Sequence, residues 1–124
     1  MSSIDSAIIL AAGHGSRMGN LTAERPKALL EVAGCSLIDR QIDALTMSGI
    51  SNITVVTGYR HDRLRDHLGT RVSYVHNEHY SESNSLYSLW LARRVLHKGA
   101  VVMNSDLLVS PMLIARLLGT PNIT

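Results

Sequence analysis

Short runs of apolar residues alternate with amphipathic segments along this 124-residue chain. A continuous apolar run of strand length predicts a strand buried on both faces, as in a parallel sheet. Strands are predicted over residues 4–11, 52–57, 72–76 and 100–104. Helices are predicted from Ser36 to Met47, over 62–68, from Ser83 or Asn84 to His97, and over 111–118. The chain is therefore expected to alternate between strands and helices.

Capping and stop residues support the helices. The hydroxyl of Ser36 can accept a bond from a first-turn amide, and Gly49 follows the end of that helix. Pro111 stands at the favoured first position of the last helix, and Gly119 ends it. In the helix that ends at His97, the positions predicted to be buried are Leu86, Leu89, Trp90, Val95 and Leu96.

This order of elements predicts an α/β fold, with a mostly parallel, Rossmann-like sheet and helices on both faces. Apolar residues make up 45% of the chain, enough for a core, and the length allows one domain at most. In such folds, ligands bind at the carboxyl ends of the strands. The loops after the first and fourth predicted strands therefore open at the same edge, where their residues can meet over one ligand.

A glycine-rich turn follows the first predicted strand. Gly13 and Gly15 have no Cβ, so the backbone there can approach a ligand closely. Consecutive backbone N–H groups in such a turn form a concavity that binds anions. Two cations follow, Arg17 and Lys27, and this arrangement suits a polyphosphate. The spacing fits neither the dinucleotide-binding fingerprint nor the P-loop.

Several spaced elements around this turn resemble the signature of the nucleotidyltransferases that activate sugar phosphates and small alcohol phosphates. The matching segments are Leu-Ala-Ala-Gly-x-Gly-Ser-Arg at 10–17, Leu-Thr at 21–22, Pro-Lys at 26–27 and a glycine at 34. The resemblance implies that Arg17 holds the β- and γ-phosphates of an NTP, and that Lys27 holds the α-phosphate and the acceptor. The alternative is a surface loop with both cations solvated. The nucleotide-binding residues predicted in this segment are Leu10, Ala11, Ala12, Gly13, Gly15, Ser16, Arg17 and Lys27.

The resemblance also implies a magnesium ligand after the fourth predicted strand. In the family an Asp at this strand end binds Mg²⁺, and here Asp106 follows Asn104 and Ser105. Mg²⁺ typically needs only one or two protein carboxylates beside phosphate oxygens and water. The alternative is an ordinary Asp in a turn. The predicted catalytic residues are Arg17, Lys27 and Asp106, with Mg²⁺ as the cofactor that Asp106 binds.

The segment over 77–89 bears on the nucleotide base. It resembles the bacterial choline-phosphate and aminoethylphosphonate cytidylyltransferases, and more loosely the inositol-phosphate cytidylyltransferases. Asn84 and Ser88 stand four positions apart on one helix face, where an amide and a hydroxyl can satisfy the polar edge of a pyrimidine. Alternatively, Asn84 caps the helix and Ser88 is solvated. The resemblance favours CTP, with Asn84 and Ser88 in the nucleotide site.

Charge and cysteine content narrow the possible partners and setting. The net charge of +2 is mild and the basic residues form no run, so no nucleic-acid partner is expected. Cys35 is the only cysteine, so no internal disulfide can form and a reducing compartment is the simplest setting. No apolar run approaches membrane-span length. We therefore expect a cytoplasmic protein with no membrane partner. His76 and His79 are too few for a closed zinc site.

These features together predict Mg²⁺-dependent nucleotidyl transfer from an NTP, probably CTP, to a small phosphate or phosphonate acceptor, with release of pyrophosphate. One alternative is a sugar-1-phosphate nucleotidyltransferase that uses another NTP. An alternative of another class is a non-catalytic, nucleotide-binding regulatory domain. Since the resembled enzymes are roughly twice this length, residues 1–124 are expected to be the N-terminal nucleotide-binding part of such a domain. They are also expected to form a homo-oligomer in which another copy covers exposed apolar surface.

Overall fold

The structure, a computed structural model, describes residues 4–12, 27–80, 85–97 and 99–105. A 3₁₀ turn at Lys27–Leu29 precedes most of the elements. The strands are β1 (Ser6–Ala11), β2 (Glu31–Val32), β3 (Cys35–Ser36), β4 (Asn52–Thr57), β5 (Ser73–His76) and β6 (Val101–Asn104). The helices are α1 (Leu37–Met47), α2 (His61–Leu68), α3 (Ser85–Leu91) and α4 (Arg93–His97). The helix predicted over 111–118 lies outside the described residues.

Within the described residues, the main sheet has four strands in the order β5-β4-β1-β6, and each neighbouring pair is parallel. The central strand β1 pairs with β4 on one side and with β6 on the other. Ala7, Ile8 and Ile9 of β1 are fully buried. The predictions of a parallel α/β sheet and of a central strand buried on both faces are confirmed.

Helices cover both faces of β1. Ala7 and Ile9 belong to a core cluster with residues of α1 and α2, among them Ile38 and Leu64. Ile8 points the other way and packs in a second cluster with Val56, Ala92, Leu89 and Val95, on the side of α3 and α4. This division follows from the alternation of side chains along a strand. In the described part of the chain, no helix is long and apolar enough to cross a membrane.

The first helix begins as predicted. The hydroxyl of Ser36 accepts a hydrogen bond from the Asp39 backbone amide at 3.1 Å, so Ser36 is the N-cap of α1. Just before it, β2 and β3 form a short antiparallel hairpin that was not predicted. Its two-residue turn consists of Ala33 and Gly34, with φ of 55° and 81°. Positive φ at both central residues is the geometry that two-residue hairpin turns favour.

The helical prediction between Ser83 and His97 is partly wrong, because the helix is interrupted at Ala92 between α3 and α4. Three of the positions predicted to be buried are exposed: Leu86 (72%), Trp90 (53%) and Leu96 (37%). The buried positions on this segment are instead Ser88 and Ala92. Ala92 packs beside Ile8 and Val56 of the sheet. Small residues thus form the inner face, which leaves the larger apolar side chains on the outside.

Candidate nucleotide-binding site

The carboxyl ends of the parallel strands meet at one edge of the sheet, and backbone hydrogen bonds tie them together. The Tyr59 amide, after β4, donates to the Ala12 carbonyl at 3.1 Å. The Ser105 amide, after β6, donates to the Leu10 carbonyl of β1 at 3.1 Å. The Asn77 amide, after β5, donates to Thr57 at 2.7 Å. Each described strand end is therefore fixed to its neighbour at the edge where ligands bind in this class of fold.

Three of the predicted site residues lie at this edge. Ala11 and Ala12 are buried, with 2% and 5% exposure, and Leu10 is partly buried. They end β1 between the ends of β4 and β6. Gly13, Gly15, Ser16, Arg17, Asn84, Asp106 and the side chain of Lys27 lie outside the described part of the structure. The backbone of Lys27 is in the 3₁₀ turn, next to the buried Ala28.

Gly58 is a functional-edge residue that the sequence interpretation missed. A Cβ built on Gly58 would lie 2.5 Å from the Cβ of Tyr80 and 2.7 Å from the carbonyl oxygen of Ala12. A side chain cannot fit there without a shift of the backbone of Ala12, which leads toward the glycine-rich turn. The available signal was a glycine placed directly after an apolar strand, which often marks a close approach of backbones.

Ser88 is buried, with 3% exposure, so the alternative that it is solvated is wrong. Its hydroxyl accepts a hydrogen bond from the side-chain amide of Asn77 at 3.1 Å. Asn77 is 1% exposed, and its side-chain oxygen accepts a bond from the His79 backbone amide at 2.9 Å. Sequence reasoning did not single out Asn77. Its position directly after a strand, before a turn, was the only available signal.

An aromatic row runs from the turn after β5 along α3. The rings of His79 and Tyr87 meet edge to face at 6.2 Å, and Tyr87 stacks on Trp90 at 5.9 Å. The guanidinium of Arg93 lies over Trp90, 3.9 Å from the ring centroid. Tyr87 and Trp90 had been expected to be core and pocket wall, but more than half of Trp90 is exposed. Trp90 is therefore a surface residue.

Two histidines pack together beside the ends of β4 and β5. The rings of His61 and His76 are 4.2 Å apart, and Nδ1 of His76 lies 3.3 Å from the hydroxyl of Thr57. Burial lowers the pKa of His76, and the neighbouring His61 lowers it further. The neutral imidazole is therefore favoured at this edge.

The described residues contain no group of three or more histidine, cysteine or acidic side chains that could hold a metal ion. That finding fits the chemistry of Mg²⁺, which binds proteins through one or two carboxylates and takes its other oxygens from phosphates and water. It also agrees with the expectation that His76 and His79 form no zinc site. The carbonyl oxygen of Asn104 accepts a bond from the buried Gln41 side chain at 2.7 Å, which fixes the end of β6 two residues before Asp106.

The parallel sheet, the two-sided helical cover and a ligand edge tied together at the strand ends define a nucleotide-binding α/β domain. Residues 7–121 match the family described as the MobA-like NTP transferase domain. The match covers more than half of the chain, and the chain belongs to this family. The resemblance to nucleotidyltransferases inferred from residues 10–34 is thereby confirmed.

Relatives point to the same branch. The chain is 38% identical over 107 residues to the 2-aminoethylphosphonate cytidylyltransferase of Lancefieldella rimae, covering 84% of this chain and 44% of the relative. The solved structure of the CTP:phosphocholine cytidylyltransferase of Streptococcus pneumoniae matches with a TM-score of 0.72 and 39% identity, covering 83% of this chain and 46% of that one. The N-acetylmuramate alpha-1-phosphate uridylyltransferase of Caulobacter vibrioides is 46% identical over 65 residues, covering 52% of this chain and 27% of the relative. The chain thus spans less than half the length of these relatives.

Proposed function

We propose that this chain is the nucleotide-binding part of a Mg²⁺-dependent cytidylyltransferase, which transfers CMP from CTP to a small phosphate or phosphonate and releases pyrophosphate. The observation that carries the proposal is the hydrogen bond from Ser105 to Leu10. It fixes the end of β6 beside the end of β1. The chain segments that lead to Asp106 and to the glycine-rich turn therefore start from neighbouring strand ends, as one shared phosphate and metal site requires.

The proposed chemistry is positioning and charge neutralisation, since phosphoryl transfer asks little acid–base work of side chains. Backbone N–H groups after Ala12 would hold the phosphates of the nucleotide. Arg17 would bind the β- and γ-phosphates, and Lys27 would bind the α-phosphate and the attacking oxygen of the acceptor. Asp106 would hold Mg²⁺, which supplies neutralisation of phosphate charge when bound.

The base would lie against the start of α3. Because the oxygen of Ser88 accepts a hydrogen bond from Asn77, its proton can be donated to a ligand. A pyrimidine offers acceptors on its polar edge, so the arrangement suits CTP, with Asn84 as the second contact. The names of the aminoethylphosphonate and phosphocholine relatives support CTP as the nucleotide and a small phosphorylated or phosphonate acceptor.

The proposal places the reaction in the cytoplasm. In the described part of the chain, the thiol of Cys35 is free and half-buried, as expected for a reducing compartment.

A second candidate is a sugar-1-phosphate nucleotidyltransferase that uses another NTP. The similarity to the uridylyltransferase of C. vibrioides favours this candidate, because its identity is the higher one over the shorter segment that it covers. Both candidates use the same phosphate site, so they differ in the nucleotide base and the acceptor alone.

A thermal-shift comparison of CTP, UTP, GTP, ATP and dTTP with Mg²⁺ tests the proposal. At a concentration of about 100 times the dissociation constant, a nucleotide stabilises the protein by about 2.7 kcal/mol. We expect the largest shift with CTP and a reduced shift in Lys27→Ala. A preference for UTP or dTTP would support the second candidate, and a purine preference would refute the cytidylyltransferase branch. If no nucleotide raises the melting temperature, the nucleotide site itself is disproved.

A further inference from the structure

A solvent-open cavity lies at the amino end of the sheet, opposite the proposed nucleotide site. Its volume is about 540 Å³. Asn52 is the first residue of β4 and pairs in register with Ser6, the first residue of β1, so this is the end where the strands begin. The described residues that line the cavity are Asn52, Arg93, Arg94, Val95 and His97.

This lining is cationic. It carries two guanidinium groups and an imidazole, and the described lining residues include no carboxylate. Arg93, Arg94 and His97 follow one another at i, i+1 and i+4 along α4, so the three side chains share one side of the helix. Within the described part of the chain, none of the three forms an ion pair. Their charge is therefore available to a ligand.

Two polar groups of the cavity are held in place. The guanidinium of Arg93 lies over the ring of Trp90 at 3.9 Å and donates from Nη1 to the Trp90 carbonyl at 3.1 Å. The side-chain amide of Asn52 donates to the hydroxyl of Ser6 at 3.2 Å. A guanidinium that is already oriented loses less freedom when it binds an anion, and its planar fork matches a phosphate group.

We propose that this cavity binds a small phosphorylated anion, at a site separate from the nucleotide site. Its volume falls in the range of small-molecule pockets, and its concave form suits a compact ligand. The ligand would receive hydrogen bonds from the guanidinium groups of Arg93 and Arg94, with His97 beside them. The site rests on residues 52 and 93–97 and does not depend on which nucleotide the opposite edge binds.

A titration of the whole chain with sodium pyrophosphate at constant ionic strength tests the site. Trp90 is the only tryptophan, so its fluorescence reports on ligands at Arg93. We expect a saturable fluorescence change, and NMR amide shifts at Asn52, Arg94 and His97. Arg94→Ala should weaken binding about tenfold or more, because a charge-assisted contact is lost. Arg63→Ala, an exposed arginine on α2, is the matched control and should leave the affinity unchanged.

Lys27→Ala separates this cavity from the nucleotide site, because Lys27 belongs to the opposite edge in the proposed function. The fluorescence change and the shifts at residues 52 and 94–97 should persist in that variant. The proposal is overturned if no saturable change is seen by either method. It is also overturned if Arg94→Ala and Arg63→Ala weaken binding equally, which would show diffuse attraction of the anion, or if Lys27→Ala alone abolishes binding.

Discussion

The side-chain amide of Asn77 donates a hydrogen bond to the hydroxyl of Ser88 across 3.1 Å and so joins the end of β5 to α3. The other end of the same amide accepts a bond from the backbone of His79 at 2.9 Å. Both side chains are buried, with 1% and 3% exposure. One buried amide thus fixes the turn after β5 and the helix that carries the proposed base contact.

Asn77→Ala should lower the free energy of unfolding by about 2–3 kcal/mol, because it leaves Ser88 and the His79 amide without these partners in a buried site. Ser88→Ala should cost less, about 1 kcal/mol, since it removes one hydroxyl. Urea unfolding of both variants and of the double variant measures the coupling between the two residues. If the two losses simply add, the hydrogen bond does not stabilise the fold as argued.

Gly58→Ala should destabilise the protein by about 2–3 kcal/mol, because the new methyl group would overlap Tyr80 and the backbone of Ala12. Gly34→Ala is the matched control: no atom lies within 4 Å of the added Cβ, and only the positive φ of 81° opposes it. That conformational cost is about 1 kcal/mol. Thermal or urea unfolding compares the two. An equal or smaller loss in Gly58→Ala would contradict the close packing.

Local sequence signals predicted the elements whose causes are local. The strand at Asn52–Thr57 matches its predicted range, and α1 begins after Ser36 because the capping hydroxyl is a neighbour in sequence. The orientation of α3 depended instead on tertiary packing. A buried face made of Ser88 and Ala92 looks polar and small in the sequence, while the exposed Leu86 and Trp90 look like core.

Much of the site was predictable only as a motif. The strand order explains why residues after β1 and β6 meet, and that order followed from the alternation of strands and helices. The roles of Asn77 and Gly58 were not predictable, because they depend on contacts with Ser88 and Tyr80, which lie 11 and 22 positions further along the chain. The roles of Arg17, Lys27, Asn84 and Asp106 stay predictions.

The pH dependence of stability should carry a contribution from His76. Burial and the neighbouring His61 lower the pKa of His76 from the model value of 6.5. Below pH 6.5 the unfolded chain therefore takes up a proton that the folded chain resists, so stability falls as the pH decreases. The fall from this group ends once the pH is below the folded pKa. His61→Gln should raise the pKa of His76 in an NMR titration, whereas the distant His97→Gln should not. No change in the first variant would contradict the contact.

Arg17→Ala and Lys27→Ala should each weaken nucleotide binding about ten- to a hundredfold, because a charge-assisted contact to phosphate contributes about 1.5–3 kcal/mol. Calorimetric titration with CTP and Mg²⁺ measures the loss, and Arg63→Ala is the control for a change in overall charge. Circular dichroism should show that the variants keep the fold, since neither side chain is assigned to the core clusters of the described residues. Unchanged CTP affinity in both variants would disprove the phosphate site. A loss in Lys27→Ala alone would instead restrict the site to the α-phosphate and leave the β- and γ-phosphates to the backbone of the glycine-rich turn.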